Sequence, residues 1–369
     1  MTRALDAEYV RRALANAKKG WGQTAPNPMV GAVVVRDGRI VGEGAHLRAG
    51  GPHAEVEALA AAGAAARGAT LYCTLEPCDH HGRTPPCAPA VAAAGIARVV
   101  AALGDPNPLA RGGGARLSAA GVRVELGLLA DEAERQNRTW LTATREGRPH
   151  VTLKAAATLD GKLADVHGGS RWITGEPARL HAHRLRAESD AIVIGVTTAL
   201  RDDPALTVRL AEPWPREPYR VVLDTAARLG PDARMIRAGT PARTLVAVGV
   251  DAPAGRVAAL EGAGATVLRA TTREGRVDVV ALLTRLFERD VRAVLLEGGG
   301  ETHAAFLDAG VVDRVTLFLA PLLLGGREAP GVVGGAGRDL KSAVRLGPVS
   351  VTPLGDDLLL EADVVKAAR

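Results

Sequence analysis

The residues whose types and spacing carry the most chemistry are His53-Ala54-Glu55, then Glu76-Pro77-Cys78, then Cys87. One imidazole and two thiolates make three ligands for a tetrahedral zinc and leave the fourth position to water. A carboxylate two residues from the imidazole can move protons to and from that water. Hydrolytic removal of an amino group from a heterocycle needs this set: a metal-activated water to attack the ring carbon, and an acid–base group that is not itself a ligand. A helix turns about 100° per residue, so two ligands on one helical face would stand at i and i+4. His53 and Glu55 are closer than that in sequence, so Glu55 is expected to flank the metal without binding it.

Blander readings compete. A structural zinc would be closed by His80 or His81, and Cys78 could instead form a disulfide with Cys87. Structural sites are usually built from paired short Cys-x2-Cys units, whereas here Pro85-Pro86 intervenes and Glu55 would have no purpose. Cys73, in an apolar run, reads as a small buried residue.

These groups need elements to hold them. Pro52 keeps the preceding chain extended, so His53 opens the Ala-rich helix that runs to Ala66, with Gly63 tolerated and Gly68 as its stop. Cys78 follows a strand over 70–75, and Cys87 opens a short helix over 88–94. A helix near 7–18 and strands over 29–35 and 39–44 come earlier, the strands joined by an Asp37-Gly38 hairpin turn. Strand 98–103, helix 115–120 and strand 122–126 come later. This alternation predicts an α/β domain over 1–147, a three-layer, mostly parallel sheet with helices on both faces. The polar stretch from Glu132 to Gly147 reads as a hinge.

A second α/β domain is expected over 148–369. Its clear strands are 151–157, 191–196, 220–223, 244–248, 291–296 and 315–319, with helices at 177–187, 277–289 and 301–309. Leu296-Glu297-Gly298-Gly299-Gly300-Glu301-Thr302 joins a strand to a helix, where glycines admit close backbone approach and free N–H groups face an anion. The spacing is not that of a Rossmann fingerprint. A tight turn is the alternative, although a carboxylate such as Glu297 at the end of a buried strand usually serves a site. The polar loop over 197–209 follows another apolar strand, where α/β sheets bind ligands; a solvated loop is its alternative. Ser170-Arg171-Trp172-Ile173-Thr174 and Thr158-Leu159-Asp160-Gly161-Lys162 carry the same ambiguity.

The chain has 369 residues, enough for two ordinary domains. Aromatic residues make up only 3%, so the cores must be built from Val, Leu, Ala and Ile. No apolar run is long enough to span a bilayer, and the N-terminus has no apolar signal core. Three cysteines suit a reducing cytoplasm. The net charge of +5 is spread without a basic block, which argues against a nucleic-acid groove but leaves single arginines for small phosphorylated ligands.

Taken in order, Pro26-Asn27-Pro28-Met29-Val30-Gly31, His53-Ala54-Glu55, Gly82-Arg83-Thr84-Pro85-Pro86-Cys87 and Asp105-Pro106-Asn107-Pro108 resemble the bifunctional riboflavin-biosynthesis deaminase–reductase family. The second half is similar to its reductase through Lys154, Leu159-Asp160-Gly161-Lys162, Ser170-Arg171-Trp172-Ile173-Thr174, Asp202-Asp203-Pro204, Leu206-Thr207, Arg209 and Leu296-Glu297-Gly298-Gly299. The resemblance covers nearly the whole chain. Asp79 departs from it, where the family has Ser or Asn; this would add negative charge beside the zinc.

The resemblance implies a cytidine-deaminase fold followed by a dihydrofolate-reductase-like fold, with zinc and NADPH as cofactors. It implies His53, Cys78 and Cys87 as zinc ligands and Glu55 as the acid–base group. It further implies substrate contacts at Asn27, His46, Arg83 and Asp105. In the reductase it implies NADPH contacts at Ala156, Trp172, Thr198, Asp202, Thr225, Gly299 and Gly300. Ser170, Arg186, Leu206, Arg209 and Glu297 match substrate positions, the arginines being suited to phosphate. Asp202 or Glu297 would supply the proton that accompanies hydride. A cytoplasmic homo-oligomer, dimer or tetramer, acting on a small phosphorylated pyrimidine is expected, with no nucleic-acid or membrane partner. The rivals are a zinc deaminase for nucleosides or tRNA with an unrelated appendage, and a non-catalytic zinc-stabilised scaffold.

Overall fold

The computed structural model describes residues 2–82 and 84–366. The chain divides into two compact units, Met1–Gly147 and Arg148–Arg369.

The first unit runs α1 (Arg3–Ala17), β1 (Gly31–Arg36), β2 (Arg39–Ala45), α2 (Ala54–Ala62), β3 (Thr70–Cys73) and α3 (Cys87–Ala93). It continues with β4 (Arg98–Ala101), α4 (Gly113–Ala119), β5 (Arg123–Leu126), α5 (Ala130–Gln136) and α6 (Arg138–Glu146). The strands form one sheet in the order β2-β1-β3-β4-β5. β1 is antiparallel to β2 and β3, and β3, β4 and β5 are parallel.

Small residues set how closely the helices approach. A Cβ on Gly31 would sit 2.0 Å from the Ala13 carbonyl of α1, and one on Gly44 would sit 2.1 Å from the Ala54 carbonyl of α2. Gly44 pairs with Ala32, the neighbour of Gly31, so the two glycines point to opposite faces and the sheet lies between α1 and α2. With few aromatic residues to fill space, the helices rest almost directly on the strands.

Two expectations need correction here. Gly63 does not continue the His53 helix: its φ of 52° ends α2, and a short 3-10 turn follows over Gly63–Ala66. The supposed hinge over 132–147 is helical. Trp140 and Leu141 are buried on α6, and the Asn137 side chain clamps Met29, accepting its N–H at 2.8 Å and donating to its carbonyl at 2.9 Å. Polar composition hid an amphipathic helix.

The second unit runs β6 (His150–Thr158), α7 (Glu176–Glu188), β7 (Ala191–Gly195), α8 (Val196–Asp202), β8 (Tyr219–Leu223), α9 (Arg234–Arg237) and β9 (Thr244–Gly249). Then come α10 (Ala254–Gly262), β10 (Thr266–Ala270), β11 (Thr272–Arg273), β12 (Arg276–Val277), α11 (Val279–Phe287) and β13 (Ala293–Leu296). α12 (Gly300–Asp308), β14 (Arg314–Ala320), β15 (Ser350–Leu354) and β16 (Asp357–Asp363) complete it. Nine strands form one sheet, β10-β9-β8-β7-β13-β6-β14-β16-β15, parallel from β10 to β14 and antiparallel beyond.

Alternation along the central strands builds a core on each face. Val193, Val221 and Leu245 join one cluster, and Ile192, Ile194, Val222 and Val246 join the other. The segment read as a polar loop after β7 begins with helix α8, which Val196 and Ala199 anchor to the core.

Candidate active site

In the first unit the parallel strands aim their carboxyl ends at one place. His53 caps α2, Cys78 follows β3, and Cys87 opens α3, so two helix N-termini and a strand end converge. His53 Nδ1 lies 3.2 Å from Cys87 Sγ and 3.5 Å from Cys78 Sγ. All three ligand atoms lie within 4.8 Å of one another, a spread that a single tetrahedral ion can bridge. Among the described residues neither His80 nor His81 joins this cluster, and all three cysteines are free thiols, so no disulfide forms.

The donor set fits zinc, being one imidazole and two sulfurs. A hydrogen bond from Cys87 lowers the pKa of the Cys78 thiol and favours its thiolate, while the same contact raises the Cys87 thiol. Thr84 Oγ1 stands 3.0 Å from His53 Nε2, a contact that orients the ring with Nδ1 turned to the sulfurs. Sequence reading missed that role, because a threonine in a Pro-rich loop gives no signal of what it faces.

Glu55 is 3% exposed, and its Oε2 is buried with no hydrogen-bond partner. Burial pushes its carboxyl up to about 7. Among the described residues it is the one acid beside the donor cluster with a buried oxygen left over.

His46 donates from Nδ1 to the Pro52 carbonyl at 2.9 Å and meets Asn27 Nδ2 at 3.1 Å through Nε2. Both of its nitrogens are engaged and it is 2% exposed, so it orients the Asn27 amide from behind. Asp105 is buried and accepts the Asn107 N–H at 2.8 Å; burial raises its carboxyl to about 6. Arg83 lies outside the described residues. The extra charge expected at Asp79 is compensated, because Arg116 pairs with it at 3.0 Å.

In the second unit a cleft of about 470 Å³ opens at the carboxyl ends of β6, β7 and β13. Ala156, Ser170, Trp172, Thr198, Asp202, Glu297, Gly299 and Gly300 line it. A Cβ on Gly300 would lie 2.7 Å from the Gly331 carbonyl, so glycine is required for the turn into α12.

Four expected residues do not line this cleft. Thr225 accepts the Val277 N–H at 3.2 Å, past the end of β8. Leu206 is a core residue, 3% exposed. The Arg186 guanidinium, expected to meet phosphate, is occupied by Glu297 and the Thr207 carbonyl. Arg209 receives no carboxylate among the described residues, and its backbone N–H donates to His183.

Against burial, the charges of Arg186 and Lys154 hold Glu297 down at about 2, so it remains an anion. Lys154 shares the cleft, and burial lowers its ammonium pKa. A lysine between the buried Leu153 and Ala155 of β6 was the signal, and its partner across the cleft gives it meaning.

Comparison with known proteins agrees with both halves. Residues 3–103 match the cytidine and deoxycytidylate deaminase zinc-binding region, and residues 149–360 match the RibD C-terminal domain. The riboflavin biosynthesis protein RibD of Bacillus amyloliquefaciens is 42% identical, over 97% of this chain and 96% of its own. That of Escherichia coli K12 is 44% identical, over 87% and 89%. The structure of Acinetobacter baumannii RibD superposes with a TM-score of 0.90 at 37% identity, covering 99% of this chain and 100% of its own. A Thermotoga maritima diaminohydroxyphosphoribosylaminopyrimidine deaminase/5-amino-6-(5-phosphoribosylamino)uracil reductase superposes at 0.85 with 36% identity, covering 98% and 99%. A cytidine-deaminase-like domain and a dihydrofolate-reductase-like domain in one chain, with this identity along nearly all of it, make the protein a member of the RibD family of riboflavin-biosynthesis deaminase–reductases.

Proposed function

We propose that residues 1–147 deaminate 2,5-diamino-6-(5-phosphoribosylamino)pyrimidin-4(3H)-one, releasing ammonia. Residues 148–369 then use NADPH to reduce the ribosyl chain of the resulting 5-amino-6-(5-phosphoribosylamino)uracil to ribityl. The observation that carries this reading is Glu55, a buried carboxyl with a free oxygen beside the His53, Cys78 and Cys87 donors.

His53, Cys78 and Cys87 would hold a zinc ion, which would supply an acidified, nucleophilic water at the site. Glu55 takes up the first proton of the attacking water at Oε2 and gives it to the ring nitrogen, then takes the second from the new hydroxyl and gives it to the amine, which departs as ammonia. A carboxyl raised to about 7 both accepts and gives a proton near neutrality. We assign Asn27 and Asp105 to the pyrimidine edge, His46 to the support of Asn27, and Arg83 to the phosphate.

NADPH supplies the hydride. Ala156, Trp172, Thr198, Asp202, Gly299 and Gly300 are assigned to hold it, supported by their shared cleft, and Thr225 to a more distant part of it. Ser170, Arg209, Glu297 and, through the backbone at Leu206, the loop after α8 are assigned to the substrate, with Arg186 holding Glu297. Ionised Glu297 suits acceptance of a hydrogen bond from a sugar hydroxyl. The accompanying proton is assigned to Lys154 in preference to Glu297, and Asp202 is left to the cofactor.

A homo-oligomer in the cytoplasm belongs to the same proposal, supported by family resemblance and by three free thiols. Zinc-loaded protein given the diamino substrate should release ammonia with or without NADPH and consume NADPH only after deamination. Ammonia from cytidine, with none from the diamino substrate, would sink the reading.

A further inference from the structure

Glu76 lies two residues before Cys78 and is 8% exposed. Its two oxygens hold two backbone amides: Oε2 accepts the Asp105 N–H at 3.0 Å and Oε1 accepts the Gly114 N–H at 2.8 Å. The first amide stands where the chain leaves β4, and the second stands in the first turn of α4. One carboxylate therefore closes both ends of the loop that carries Asp105. The contact is tight elsewhere too. A Cβ on Gly113 would lie 1.7 Å from the Pro77 carbonyl, and the Asp79 N–H donates to the Ala110 carbonyl at 3.0 Å.

We infer that Glu76 is a positioning residue for deamination, tying the segment that bears Cys78 to the loop that bears Asp105. This fixes where the Asp105 carboxyl stands relative to the zinc ligands. A carboxylate fits the task because it is acceptor-only at both oxygens, whereas an amide would turn an N–H₂ group against one backbone N–H. The inference rests on the assignment of Asp105 to the substrate.

The test is a double-mutant cycle on the full-length, zinc-loaded protein. Glu76→Gln should raise the deaminase KM for the diamino substrate about tenfold, the usual effect of orphaning one buried donor, with a smaller change in kcat. Zinc content and the reductase rate on pre-deaminated substrate should not change. Asp105→Asn should raise KM as well, and the double variant should be no worse than Asp105→Asn alone, since both act through one contact. Should Glu76→Gln fold poorly, Glu76→Asp keeps the charge, reaches only one amide and should show the same KM effect. Additive losses, zinc loss matching the activity loss, or an unchanged KM in the Glu76 variants would overturn the inference. If instead Asp105→Asn itself leaves KM unchanged, it is the assignment of Asp105 that fails.

Discussion

Arg186 grips Glu297 by two hydrogen bonds of 2.7 Å, one from Nε and one from Nη2, where β13 ends in the reductase cleft. The side chains are 15% and 9% exposed, so the pair is largely desolvated. Removing one partner leaves the other charge buried and alone. Arg186→Met should therefore destabilise the reductase unit by about 3–5 kcal/mol. The urea midpoint followed by far-UV circular dichroism checks this, and Arg186→Met/Glu297→Gln should recover part of the stability. An unchanged midpoint in the single variant would show the pair to be energetically idle.

Glu55→Gln removes the proton carrier while keeping shape and zinc ligands. Deamination should fall on the order of 10²–10⁴-fold. Zinc content, thermal midpoint and NADPH-dependent reduction of pre-deaminated substrate should stay as in the parent. Full deaminase turnover in the variant would refute the role given to Glu55.

Metal removal separates the two halves. Dialysis against dipicolinate should abolish ammonia release and leave reduction of pre-deaminated substrate intact, because the reductase cleft contains no part of the His53, Cys78 and Cys87 cluster. Zinc alone should restore deamination. Loss of reduction in step with zinc would contradict this division.

Asp313 ties β6 to the start of β14. Burial raises its carboxyl, but Arg148, at 2.7 and 2.8 Å, outweighs it and brings the pKa to about 2. A folded-state pKa below the unfolded one adds stability that is fully present above about pH 4 and is lost as pH falls towards 2. The contribution at neutral pH is about 2 kcal/mol. Asp313→Asn should lower the neutral-pH stability by at least that much and flatten its decline below pH 4. An unchanged acid slope would assign the acid sensitivity to other carboxylates.

The metal site was the most legible part of the sequence, since His53, Glu55, Cys78 and Cys87 depend only on residue type and local spacing. The boundaries of β1, β3 and α3 follow nearly as well from apolar runs and breakers. What eluded reading depends on distant contacts. Asn137 turns a polar stretch into a docked helix by clamping Met29, more than 100 residues away in sequence. Arg186 looks like a phosphate ligand until Glu297 is found in its fork. The β15 strand is exposed along nearly its whole length, so it shows no alternation to betray it.

Lys154 gives the sharpest test of the reductase. It is half-buried on β6, lies in the cleft with Glu297, and has its ammonium 5.6 Å from the centre of the Phe318 ring. Burial disfavours the ammonium and so eases release of its proton, while the anion of Glu297 pulls the other way. Lys154→Met keeps the length of the stem but removes the proton and the charge. The kcat for reduction should fall by about 10²-fold or more, the usual size of a general-acid contribution, with NADPH affinity nearly unchanged. Lys154→Arg should not rescue the rate, because a guanidinium does not release its proton near neutrality. Deamination by the other unit serves as the internal control and should stay at the parent rate. A Lys154→Met variant that binds NADPH poorly yet turns over normally at saturation would instead make Lys154 a cofactor contact, and Asp202 would become the proton source to test.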